Sequence, residues 1–155
     1  MSRALTQAEA ARRATELRAA GKTVVMANGV FDLLHVGHLR YLEDAKSRGD
    51  VLLVAVNSDA AARALKGDGR PVVSEAERVE LVAALACVDG AFLFQGNDVR
   101  EVLRALKPHL HAKGTDYTPE SVPEREVIAE WGGQVVITGD PKDHSSTEQL
   151  QKLKR

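Results

Sequence analysis

The sequence predicts an α/β chain: a three-layer sandwich built on a five-stranded parallel sheet. Short apolar runs at 23–27, 51–56, 91–94, 109–112 and 134–138 alternate with helical patterns along the whole length. The run 51–56 is apolar almost throughout, as befits a parallel strand covered on both faces. Each gap between runs is long enough for a helical crossover. Right-handed crossovers then bring every strand's C-terminal end to one edge, where open parallel sheets bind ligands.

Thr6 and Glu9 form a capping box and Gly21 supplies the stop, which defines an N-terminal helix within 1–21. Its apolar stripe, Ala10, Ala14 and Leu17, is thin, so this helix is expected on the surface. After the strand 23–27, a helix over 37–48 turns Leu39, Leu42 and Ala45 inward and stops at Gly49. The polar triplet Asn57-Ser58-Asp59 closes the strand 51–56 and caps a short helix over 60–65. Lys66-Gly67-Asp68-Gly69-Arg70-Pro71 reads as a basic loop, and Ser74 with Glu77 opens a helix carrying Val79, Val82, Leu85 and Ala86. Asn97 is expected to cap the next helix, whose inner face is Val99, Val102, Leu103 and Leu106 and whose end is set by Pro108. The strand 109–112 has the weakest pattern of the five. Ser121, Pro123 and Glu124 open a further helix that stops at Gly132-Gly133, and a final short helix follows over 145–153. No repeat, linker or low-complexity segment interrupts this order, so one domain over 1–155 is expected.

Composition narrows the function classes. A chain of 155 residues, 44% of them hydrophobic, can bury one sizeable core. Its net charge of −1 offers no whole-molecule attraction to nucleic acid or an anionic membrane. Cys87 is the single cysteine, which excludes an internal disulfide, and its apolar neighbours point to packing. No run approaches the roughly 20 apolar residues of a membrane span, and the arginine- and glutamate-bearing N-terminus lacks a signal-peptide core. A soluble cytoplasmic protein is expected.

The chemistry gathers at residues 28–38, Asn-Gly-Val-Phe-Asp-Leu-Leu-His-Val-Gly-His, between the first strand and its helix. His35 and His38 project from one side of the first turn, where unpaired amides and the positive helix end favour an anion, phosphate above all. Other donors stand on the same edge or its crossovers: Lys46 two turns beyond His38, then Lys66, Arg70 and Arg78, Lys113-Gly114, and the hydroxyl triplet Ser145-Ser146-Thr147. Asp32 and Asp116 are the acid groups available for Mg²⁺ or a sugar hydroxyl. No nucleophile elbow, Walker A loop, dinucleotide fingerprint or three-histidine zinc spacing is present. Phosphoryl or nucleotidyl transfer by positioning and charge neutralisation needs none of these. His109, His111 and Trp131 read as packing residues.

These residues resemble a known family. Residues 28–38 resemble the GxFDxxHxGH signature of the cytidylyltransferase-like nucleotidyltransferases, which have a Rossmann-like fold. The resemblance continues through A-V-N-S-D at 55–59, L-K-G-D-G-R-P at 65–71, E-R at 77–78, V-D at 88–89, K-G-T-D-Y at 113–117 and S-S-T at 145–147. L-K-G-D-x-R-P and K-G-x-D-Y, with a following G-G-x-V-V strand, look most like the branch that adenylylates D-glycero-β-D-manno-heptose 1-phosphate. The implied reaction joins ATP and the sugar 1-phosphate into ADP-heptose and pyrophosphate, on the route to the lipopolysaccharide inner core. In some bacteria that activity is fused to a sugar kinase; here a free-standing enzyme is expected.

By this resemblance His35 and His38 hold the triphosphate and the transition state, and Lys46 and Arg78 neutralise phosphates as further catalytic groups. Asn28, Gly29, Val30, Phe31 and Gly37 shape the nucleotide's approach, with Lys113, Gly114 and Asp116 by ribose and base. Ser145, Ser146 and Thr147 cap the outer phosphates; the family usually has S-T-T there. Asp32, Lys66 and Arg70 face the acceptor. Mg²⁺ is expected with ATP, no residue is assigned as a dedicated metal ligand, and a homo-oligomer is implied. The nearest rival is a glycerol-3-phosphate cytidylyltransferase, which shares the HxGH motif. A nucleotide-sensing module without catalysis is the rival of another class.

Overall fold

A computed structural model of the chain describes residues 3–141 and 146–154. Six parallel strands lie in the order β1-β4-β3-β2-β5-β6. They are β1 (Ala4–Leu5), β2 (Val24–Gly29), β3 (Val51–Asn57), β4 (Gly90–Phe94), β5 (Leu110–Lys113) and β6 (Gln134–Ile137). The predicted parallel architecture is present with one strand more than expected. The extra strand, β1, pairs Ala4 with Ala91 and Leu5 with Phe92 at the sheet's edge. Two residues are too few to show an alternation, so no pattern announces it. It is held by the Arg3 guanidinium, which donates to the Val88 carbonyl at 3.1 Å, and by Leu5 lying where Gly90 has no side chain.

The helices are α1 (Gln7–Ala19), α2 (Val36–Ser47), α3 (Asp59–Lys66), α4 (Glu75–Ala84), α5 (Arg100–Leu106), α6 (Arg125–Ala129) and α7 (Ser146–Leu153). Side chains alternate across a strand, and the two faces of the sheet therefore carry separate cores. Val25 and Ala27 of β2 with Val54 and Val56 of β3 pack against Leu42 and Ala45 of α2 and Val79 and Val82 of α4. Val24, Met26, Leu53 and Ala55 pack against α1, α5 and Val127 of α6. The thin stripe of α1 is thus a close contact rather than a sign of a peripheral helix. Ala10 and Ala14 are fully buried because small side chains let α1 settle onto the sheet. Cys87 packs against the first core, and burial pushes its thiol up.

Caps behave largely as the sequence predicts: Thr6, Ser58 and Ser74 accept from the amides of Glu9, Ala61 and Glu77. Asn97 does not cap. α5 begins at Arg100, and its amide donates instead to Asp98 Oδ1 at 2.9 Å, leaving Asn97 exposed in the loop after β4.

β2 leads through α2 to β3 on one side, while β5 pairs on its other side. The strand order therefore reverses at β2, and the crevice beyond its C-terminal end is the ligand position of such sheets.

Candidate active site

β2 ends at Gly29, and after five intervening residues the chain enters α2 with His35 as N-cap. The two histidines cap the helix reciprocally. His35 Nδ1 accepts from the Gly37 amide at 3.1 Å, and His38 Nδ1 accepts from the His35 amide at 3.3 Å. A ring nitrogen that accepts an N–H carries no proton, so each neutral imidazole bears its hydrogen on Nε2. The rings stack with centroids 4.0 Å apart. The helix start thus offers two fixed ring donors in place of open amides, a refinement of the expected anion site. The Gly37 amide is already engaged by His35, and the His38 amide donates to the His35 carbonyl.

Phe31 supports this arrangement. It is buried, its φ of 52° is in the left-handed region, and its ring meets the His38 ring edge-on at 5.4 Å. A non-glycine residue there costs roughly 1–2 kcal/mol, a strain of the sort that gathers at functional sites. Gly29 makes room for it: a Cβ at Gly29 would lie 3.1 Å from the Phe31 ring.

A cleft of about 300 Å³ opens over this turn. It gathers Asn28, Gly29, Val30, Phe31, Asp32, His35, Gly37 and His38 with Lys66 and Arg70 from the crossover after β3. Lys113, Gly114 and Asp116, from the end of β5 and the loop beyond it, complete the predicted set present here. Ser145 lies outside the described residues, and Ser146 and Thr147 open α7.

Two predicted catalytic cations are placed elsewhere. Lys46 Nζ bonds Asp89 at 2.6 Å and the Asp50 carbonyl at 2.7 Å, at the far end of α2. Eight residues of helix separate it from His38, about 12 Å of rise, which a lysine side chain does not span. Arg78 is fully buried. Its guanidinium donates to the carbonyls of Val73, Val30 and Asn57 and to Asp59, at 2.6–2.9 Å. Arg78 therefore ties the loops after β2 and β3 together rather than meeting a phosphate.

Asp32 is also structural. Burial raises its carboxyl, but hydrogen bonds from the Val73 and Val72 amides and from Arg70 outweigh that and hold it below 3.8. Arg70 Nε is 2.6 Å from Asp32 Oδ2. Those donors occupy both oxygens, so Asp32 anchors the basic loop against the cleft instead of offering a lone pair to an acceptor or a metal.

Other contributors escape sequence reasoning. His111 is fully buried on β5, and its Nε2 lies 2.8 Å from Asn28 Oδ1. Burial, with Lys113 adding to it, pushes the imidazole down to about 3. The ring is neutral and donates through Nε2, so the Asn28 amide turns its NH₂ outward at the strand end. Tyr41 donates to the Ala112 carbonyl at 2.7 Å and fastens α2 to β5. Gly139, with φ +95°, passes so close to Tyr41 that a Cβ would sit 3.1 Å from its Cα. Only period-two parity hints at His111, and nothing in the sequence pairs it with Asn28.

Among the described residues no group of three His, Cys, Asp or Glu side chains is arranged to hold a metal, and no helix is long and apolar enough to cross a membrane.

The cytidylyltransferase-like family model matches residues 26–151. The Bifunctional protein HldE of Pelobacter propionicus is 44% identical over 136 residues, which are 88% of this chain and 28% of that protein. Its namesake in Geobacter metallireducens is 45% identical over 138 residues, 89% of this chain and 28% of the relative. The chain thus spans little more than a quarter of the length of these curated relatives. Among solved structures, the lipopolysaccharide core biosynthesis protein from Thermoplasma volcanium matches with a TM-score of 0.69 and 32% identity, over 79% of this chain and all of that one. With the matched segment running from the core of β2 through the paired histidines into α7, this chain belongs to the cytidylyltransferase-like family.

Proposed function

We propose that the chain transfers AMP from ATP to D-glycero-β-D-manno-heptose 1-phosphate, giving ADP-heptose and pyrophosphate for the lipopolysaccharide core. The observation that carries the chemistry is the pair of imidazoles whose Nδ1 atoms are held by backbone amides. Such a pair presents donors without acceptors at a helix N-terminus, which suits a triphosphate. The heptose acceptor rests on the loops 65–71 and 113–117 and on the names of the matched relatives.

The acceptor's phosphate has a second pKa near ~6 and is largely dianionic at neutral pH. Its oxygen attacks the α-phosphorus, the bond to the α–β bridging oxygen breaks, and the electron pair leaves with pyrophosphate. No general base is required. His35 and His38 donate through Nε2 to phosphate oxygens as charge builds, and Lys66, Arg70 and Lys113 lower the cost of bringing two anions together. Magnesium fits as an ion carried in on ATP and held by phosphate oxygens and water. Asp32 is not available to such an ion, because Arg70 and the Val72 and Val73 amides occupy both of its oxygens.

In this reading the enzyme works in the cytoplasm without nucleic acid, as a homo-oligomer. Exposed Leu65, Val72 and Leu81 support self-association, which sedimentation measures. The activity is tested by measuring pyrophosphate release with ATP or CTP against heptose 1-phosphate and glycerol 3-phosphate. Release confined to ATP with the heptose is expected. Release only from CTP with glycerol 3-phosphate would replace this function with the rival one.

A further inference from the structure

The histidine cleft has a second wall, built from the loops after β5 and β6, and its placement depends on a residue outside the cleft. β6 ends at Ile137, and the chain continues as Thr138, Gly139, Asp140 and Pro141, all of which border the cleft. The Thr138 amide donates to the Lys113 carbonyl at 2.9 Å, and the Thr115 hydroxyl donates to the Asp140 carbonyl at 2.7 Å. The two loops therefore form one surface.

α2 fixes that surface. His38, Tyr41 and Asp44 follow at intervals of three residues along one side of the helix. The Tyr41 carbonyl accepts from the Thr138 hydroxyl at 3.2 Å, and Asp44 Oδ2 accepts from the Gly139 amide at 2.9 Å. Asp44 Oδ1 is held by Arg48 Nε at 3.1 Å and by the Ser47 hydroxyl at 3.3 Å, which aims Oδ2 at the loop. Burial raises its carboxyl, but the Gly139 amide, Arg48 and Ser47 outweigh that and hold it below 3.8, so the charge is present at neutral pH. A bond from an amide to an ionised carboxylate is about twice as strong as one between neutral groups. Arg40 also reaches the loop, 2.8 Å from Asp140, but both side chains are about half exposed and such pairs contribute little.

We propose that Asp44 is a positioning residue for the nucleotide, clasping the loop 138–141 so that it forms a fixed wall for the nucleoside end of ATP. This deepens the proposed function and rests on it. Asp44 is not among the described residues that border the cleft, and Thr138 is 1% exposed with its hydroxyl spent on Tyr41. Both side chains therefore act on a ligand only through the loop. The imidazoles at the start of α2 hold phosphate oxygens, and the nucleoside end lies along the surface that remains, the joined loops. One helix thus sets the distance between the phosphate donors and the nucleoside wall. A loop released from α2 spends part of its time in positions that do not fit a nucleoside, and apparent affinity falls in proportion.

The test is calorimetric titration of the full chain with ATP and with inorganic tripolyphosphate, each with magnesium and without an acceptor. Asp44→Ala is expected to weaken ATP by about tenfold, as for a wall in place about one-tenth of the time. Tripolyphosphate, which meets only the phosphate donors, should bind that variant within about twofold of the wild type. Asp44→Asn keeps an oxygen for the Gly139 amide and should retain most of the ATP affinity. Thr138→Val keeps the volume and removes the bond to Tyr41. It should weaken ATP selectively by about three- to fivefold, and it covers the case of an Asp44 variant that fails to fold. The proposal is overturned if ATP binds Asp44→Ala and Thr138→Val as it binds the wild type, if tripolyphosphate weakens as much as ATP, or if the wild type binds tripolyphosphate but not ATP. Failure of the proposed function looks different: ATP affinity responds to the variants as expected, but the wild type releases no pyrophosphate with heptose 1-phosphate.

Discussion

The substitution His111→Leu should flatten the acid side of the stability profile. The folded chain holds this ring neutral to about 3, whereas an exposed histidine binds its proton near 6.5. Above pH 6.5 both states leave the ring neutral, and its contribution is fully present. As pH falls from 6.5 toward 3 the unfolded chain gains a proton that the folded chain refuses, and stability drops by about 1.4 kcal/mol per pH unit. At pH 5 the loss is on the order of 2 kcal/mol, a large share of a typical domain's stability. A leucine side chain cannot titrate. At pH 7.5 the variant forfeits only the contact to Asn28, about 1 kcal/mol, and partly recovers it through apolar burial. Urea unfolding of both proteins from pH 7.5 to pH 5 isolates the effect, because every other group titrates alike in the two. Parallel profiles would refute the assignment of a buried neutral ring. The same variant frees the Asn28 amide to rotate, so the KM of a substrate should rise, and His111→Gln should restore it through an amide nitrogen near the place of Nε2.

Removing the ring donor in His38→Ala should lower kcat by about 100- to 1,000-fold, the cost of one transition-state donor; a loss below tenfold in pyrophosphate release contradicts its role. Lys46→Met should leave turnover within about threefold and cost less than about 1 kcal/mol in unfolding, as for other half-exposed ion pairs. A collapse of turnover with normal substrate affinity would return Lys46 to the chemistry. Asp32→Asn leaves Arg70 buried without its counter-charge, and stability at pH 7 should fall by roughly 3–5 kcal/mol. The wild type's benefit from Asp32 is present above its ordinary value of 3.8 and is lost as pH falls through the lower folded value. Acid unfolding curves of the two proteins should therefore converge below pH 4.

Much of the scaffold is legible in the chain because its signals are local. Apolar runs at 23–27 and 51–56 mark buried strands, and Ser58 and Ser74 mark helix starts. The histidine pair is local for the same reason, since three residues are one helical turn. What sequence could not supply is where long side chains end. Lys46 and Arg78 are cations on the crossovers, and linear reading sends both to the phosphates. In space one is separated from the site by the length of α2, and the other is enclosed by carbonyls 21 and 48 residues away. Asp32 reads as an open acid because its three donors come from 38 to 41 residues further on. His111 illustrates the converse, a packing residue by pattern whose partner lies 83 residues away on the neighbouring strand.

The reciprocal cap of α2 joins two properties that are usually separable. The hydrogen bonds that fix the tautomers of His35 and His38 are the same ones that start the helix. Fraying of that first turn therefore loosens both rings. Readiness of the site becomes a local folding equilibrium. The exchange rates of the His35 and Gly37 amide protons with solvent would report it directly. A triphosphate that engages the two outer nitrogens would slow both by one common factor.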